Sequence, residues 1–293
     1  MKQALLPLAT ALCAAATAPT AGAAAAGLTL ANYVDAADTL VDVVQTRSFT
    51  FSALMLGRLD DAAQPRLASL TALPDAPRSE TTHMPCPGGG SVTGRITDRD
   101  ASGSMSVQDR FVTVFNACHI GDEVMSGSSE FTITAHHFNG KVETTELQFR
   151  FKSLGSEAMR WTGQATALVQ IDDKTGAERY TVNYRDLAVT RGTHAYRWTF
   201  TVEERRPPLG EHTVRINGTM TFEQAPLQLV QEEPFVLNVH GVARSGSLTA
   251  TDPQGDRVQV DATPRRYRYR YFDHGNVGSA PDAMSQSASR IGR

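Results

Sequence analysis

The chain has 293 residues, 41% hydrophobic, 20% charged and 7% aromatic, which is enough apolar material for a core and excludes wholesale disorder. Its 28 Lys and Arg stand against 31 Asp and Glu, so no electrostatic reason exists to expect nucleic acid, whose binding starts from a basic surface. No residue pattern in it names a reaction.

Residues 1–23 have the parts of an export signal in order: Lys2, the apolar stretch Ala4–Ala18, and the small residues Ala21-Gly22-Ala23 at which a peptidase would cut. Pro7, Pro19 and the Ala and Thr content argue against a spanning helix, which needs about 20 strongly apolar residues. Leu12 is a poor fit to the small residue that lipoprotein processing wants before its cysteine, which argues against a lipid anchor at Cys13. The compartment implied is the periplasm or the extracellular space.

Residues 24–275 read as one β-rich domain opening on a helix over 28–46. Leu28, Leu30, Tyr33, Val34, Ala37, Leu40, Val41 and Val44 have amphipathic spacing, and Asn32, Asp35, Asp38 and Asp42 fall on the other, solvated face. Phe49–Leu56 reads as a strand, and Asp60–Thr82, with Pro65, Pro74 and Pro77, as a loop or short helical connection. From Ser91 onward, β-branched and aromatic runs alternate with turn residues. The expected strands are 91–97, 110–118, 129–137, 146–152, 161–171, 179–190, 194–203, 212–222, 235–242, 246–251, 257–263 and 266–272. Turns such as Asn139-Gly140 and Pro253-Gln254-Gly255-Asp256 are too short for parallel crossovers, so consecutive strands must be antiparallel. The expected fold is mainly β: an N-terminal helix packed on a long, curved antiparallel meander sheet, open or half-barrel and sandwich-like. Gly127, Gly218 and Gly246, each followed by hydroxyl residues, form a weak repeat within it. Few aromatics and a polar C-terminus argue against an outer-membrane barrel. Residues 276–293 read as a flexible tail.

With Cys13 removed, an oxidising compartment leaves Cys86 and Cys118 to pair. Between them, Asp98, Asp100, Ser102, Ser104, Ser106 and Asp109 occupy positions 1, 3, 5, 7, 9 and 12 of a loop with Gly103 at position 6, the ligand spacing of a calcium site. Ser104 would ligate through its carbonyl and Ser106 through a water. The short Asp109 in place of Glu, the neutral Ser102 and the flanking Arg99 and Arg110 weaken such a site to about 0.1–1 mM affinity. A solvated acidic hairpin tip is the competing reading, and these weaknesses favour it. The cysteines and the loop are nearly concentric in sequence, so a hairpin with the loop at its tip sets the cysteines opposite each other at its base.

Cys86-Pro87-Gly88-Gly89-Gly90-Ser91, Asp98-x-Asp100-x-x-Gly103, Ser106-x-x-Asp109, Phe115-x-x-Cys118 and Gly127 resemble a module of uncharacterised exported β-rich proteins and lipoproteins of Gram-negative bacteria. The likeness extends to the 28–32 helix start and the late hairpins from Gly246 to Asp273. That group commonly carries Gly before the last loop Asp, where Gln108 stands here. The resemblance implies a compartment and points to no particular activity.

His136 and His137 are adjacent and point to opposite faces of a strand, and the other histidines lack short-range ligand spacing. Arg266-Tyr267-Arg268-Tyr269-Arg270-Tyr271 puts arginines on one face and tyrosines on the other. The tyrosines are expected to cover a core edge, with the arginines in water or paired to carboxylates. No hydrolase or phosphate-loop motif occurs. The preferred reading is a non-catalytic binding or structural envelope protein. A carrier of lipid or another apolar ligand and a hydrolase of envelope polymers are its alternatives, with envelope lipid or glycan as the partner class.

Overall fold

The computed structural model describes residues 27–55, 78–102, 106–120, 123–238, 242–273 and 283–284. The expected export signal, most of the 60–82 connection and most of the tail lie outside the described residues. One helix, α1 (Tyr33–Met55), precedes β1 (Arg78–Pro85), β2 (Ser91–Asp98), β3 (Arg110–Ile120), β4 (Glu123–Phe138), β5 (Val142–Gly155), β6 (Met159–Asp172), β7 (Glu178–Tyr184) and β8 (Leu187–Arg191). There follow β9 (His194–Arg206), β10 (His212–Phe222), β11 (Ala225–Leu237), β12 (Ala243–Thr251), β13 (Arg257–Ala262), β14 (Tyr267–Phe272) and β15 (Ala283–Met284). All pair antiparallel in one sheet in chain order, with β7 and β8 sharing the lane between β6 and β9. Strands β1 and β15 end the order, so the sheet is open.

Four differences from the sequence reading have physical causes. The helix starts at Tyr33 rather than at 28, after a turn closed by reciprocal Thr29 and Asn32 hydrogen bonds, and runs through the expected strand at Phe49–Leu56 as far as Met55. Val44, Ser48, Phe51 and Met55 keep the helical spacing, and extending a nucleated helix costs little. Strand β1 covers residues expected as loop; it is a polar edge strand without apolar alternation, closed by Pro85, a composition that deters pairing with another chain. Strand β11 begins ten residues before the expected 235 start and contains two prolines. Pro226 lies at the strand's start and Pro234 in a register shift between Glu233 and Val236, places where a missing N–H is tolerated. The expected 179–190 strand is broken at Asp186, whose φ is 55°.

The sheet is wrapped around α1. Strands β8 and β14 are six strand steps apart, about 29 Å across a flat sheet. Yet the Asp38 carboxylate on α1 accepts a hydrogen bond from the Tyr269 hydroxyl of β14 and lies 3.4 Å from Arg191 Nη1 of β8. Only strong curvature lets one side chain reach both. The glycine repeat marks where the sheet bends: Gly218 and Gly246 have φ of 139° and 122°, and a Cβ would lie 2.6 Å from Phe200 Cα and 2.5 Å from Phe235 Cα. Register shifts adjoin both positions.

The concave face is the core. Tyr267, Tyr269 and Tyr271 of β14 are buried on it, as their alternation predicts, while Arg270 on the other face bonds Asp261. Tyr196, Trp198 and Phe200 of β9 and Phe222 of β10 continue the layer. Helix residues Ala36, Ala37, Leu40, Val41 and Val44 are buried in the same cluster. Leu28 N–H is anchored by Asp252 Oδ2 at 2.8 Å, in the β12–β13 turn.

Candidate metal centre

Strands β2 and β3 form a hairpin in which Ile96 pairs with Phe111. Strand alternation therefore puts Asp98 and Asp109 on the face of these apolar residues, at the hairpin's tip. Asp109 is 2% exposed and Asp98 9%. Phe111 of β3 stacks on Phe131 of β4, and Phe131 tilts against Phe149 of β5, with centroids 4.4 and 5.7 Å apart, joining the tip to the core.

Backbone amides hold the carboxylates. Asp109 Oδ1 accepts from Arg99 N at 2.9 Å and Oδ2 from Ser106 N at 2.8 Å. Ser102 N donates to Asp98 Oδ1 at 3.2 Å and to Asp100 Oδ1 at 3.1 Å. The Ser102 hydroxyl and amide hold the Asp100 carboxyl down at about 2, so this group is ionised at any ordinary pH. One oxygen from each of Asp98, Asp100 and Asp109 lies within 4.8 Å of the others, and among the described residues this is the one cluster with metal-ligand geometry. Each oxygen that accepts an amide keeps a second lone pair. The Ser106 hydroxyl is shielded from solvent and lies beside Asp100, at the position expected to hold a ligand water. These donors are hard oxygens of high charge, which fit calcium.

The structure thus brings Asp98, Asp100 and Asp109 together, with Ser102 and Ser106 beside them. Ser104 and Gly103 lie outside the described residues. Ser102 serves through its amide in positioning two carboxylates, and its hydroxyl is committed to Asp100. Arg110, expected to weaken the local potential, bonds Glu130 Oε2 at 2.6 Å. Gln108 has φ of 75°, the left-handed conformation that glycine adopts freely. Cys86 and Cys118 form a disulfide with Cα atoms 5.4 Å apart, joining the β1–β2 turn to β3 at the hairpin's base.

A second polar cluster, invisible in the sequence, lies where α1 meets the β8–β9 hairpin. The aspartates assigned to a solvated helix face instead grip the sheet. Arg191 Nε lies 2.9 Å from Asp42 Oδ2 while its Nη1 meets Asp38. His194 stands between Glu223 Oε1 at 3.2 Å and Asp35 Oδ2 at 3.7 Å. Asn32 Nδ2 donates to Glu223 Oε2 at 3.3 Å. Burial pushes the Asp42 carboxyl up to about 7, with Arg191 pulling against it and Asp38 adding to it. Acid residues at three-and-four helical spacing signal a shared face, but nothing local says that arginine and histidine from 150 residues away cover it.

The chain matches no family model, no curated protein and no solved structure. Among the described residues no helix is long and apolar enough to cross a membrane.

Proposed function

We propose that this is an exported envelope protein whose β2–β3 hairpin tip binds calcium, acting as a binding or structural module rather than a catalyst. The observation that carries the reading is the convergence of the Asp98, Asp100 and Asp109 oxygens within 4.8 Å. Three carboxylates held in place by backbone amides repel one another, and a divalent cation relieves that repulsion without rearranging the loop. The disulfide and the likeness of the 86–127 module to exported Gram-negative proteins support an oxidising compartment. A second reading, carriage of an apolar ligand, is favoured by the half-buried Ile96, Phe111 and Phe131 on the concave face away from α1.

Thermal melts in chelator and in about 5 mM calcium test the proposal. With an affinity near 0.5 mM, calcium adds about 1.4 kcal/mol, a rise of roughly 2–5 °C for a domain of this size. The double variant Asp98→Ala, Asp100→Ala should show no rise. An unchanged melting point in the parent, or an equal rise in the variant, contradicts the assignment.

A further inference from the structure

We propose that α1 is held by a proton-dependent clasp: the helix is locked into the concave face in acidic medium and loosens as the pH rises towards neutrality. The proposal stands apart from the calcium reading and uses none of its residues. Four carboxylates meet in the clasp, Asp35, Asp38 and Asp42 from α1 and Glu223 from the β10–β11 turn. Facing them are Arg191 of β8 and His194 of β9, while the Tyr269 hydroxyl of β14 donates to Asp38. Tyr196 of β9 completes the surroundings; burial lifts its phenol to about 12, so it stays neutral throughout.

Asp38 and Asp42 share one guanidinium, Asp42 at 2.9 Å from Arg191 Nε and Asp38 at 3.4 Å from Nη1. With a proton on Asp42, one carboxylate faces that cation; with the proton gone, two do. The folded value for Asp42, about 7, lies above the ordinary 3.8, so the unfolded chain loses its proton first. The stability this proton contributes is therefore complete below about 4 and is lost progressively as the pH rises to about 7. The released element would be the helix, because Arg191 and His194 sit on the hairpin end that grips it, whereas β9, β10 and β11 are locked to one another by backbone ladders on both sides of the register shift at Val214–Gly218.

Hydrogen exchange of the full chain, read by mass spectrometry at pH ~5.5 and ~8 and corrected for the intrinsic rate at each pH, tests this. Amides of 36–44 should lose about tenfold or more protection at the higher pH, with β10 and β11 unchanged. Asp42→Asn should abolish most of that loss. Asp38→Asn, which removes the neighbouring carboxylate that adds to the Asp42 shift, should do so in part and serves if the Asp42 variant fails to fold. Equal protection of α1 at both pH values overturns the proposal. So does a loss shared by β10 and β11, or a loss in the foldable variant as large as in the parent.

Discussion

Asp109 and Arg191 each sit in a polar cluster, and each is held by specific partners. Asp109 is satisfied by two amides from its own loop, whereas Arg191 is satisfied by two carboxylates of a distant helix. Removing Arg191 leaves Asp42 without its cation, while Asp38 keeps the Tyr269 hydroxyl. We expect Arg191→Met to cost about 1.5–3 kcal/mol, the scale for a hydrogen bond between charged groups in a half-buried pair. Arg270→Ala, whose pair with Asp261 is 44% exposed on the arginine side, should cost about 1 kcal/mol or less. Urea unfolding of the two variants decides the point, and equal costs would show that the clasp is no more than a surface pair. The same contrast explains what could be read in the sequence. The loop acids lie within twelve consecutive residues at fixed offsets, so spacing alone located them. The clasp pairs 35, 38 and 42 with 191 and 194, and no local pattern encodes that.

Among the elements, β10 was legible to the residue because His212–Phe222 alternates cleanly between turns. Strand β1 was not, since an edge strand with few apolar contacts needs no alternation. Strand β11 hid behind Pro226 and Pro234, which act as breaks only where the ladder demands an N–H. The glycine repeat was visible, but its meaning as a set of bends needed the register. Gly246→Ala should lower stability by about 2 kcal/mol or more, since the new Cβ meets the Phe235 backbone and its φ of 122° is foreign to alanine. A chemical-denaturation midpoint equal to that of the parent would contradict this role.

For the molecule as a whole, the disulfide and the curved sheet act at different places. The Cys86–Cys118 link closes about 33 residues and should contribute about 3–4 kcal/mol through the unfolded chain. Replacing both cysteines by serine should therefore lower the melting point while leaving the calcium-dependent rise intact, because the loop lies a strand's length from the bridge. A lost calcium response in that variant would show that the bridge shapes the loop. The two ends of the pH scale should also separate. Asp100, held near 2, contributes stability that is present above the ordinary 3.8 and lost as the pH falls through about 2, whereas Asp42 acts between about 4 and 7.

The claim on which the functional account rests is that the hairpin tip coordinates calcium. An amide-resolved NMR titration tests it most directly. The account predicts saturable shifts centred on Asp98–Asp109, with half-saturation at about 0.1–1 mM and no change at Arg191 or His194. Resonances of that segment that stay fixed at about 10 mM calcium, or that move only in step with the rest of the sheet, would contradict it.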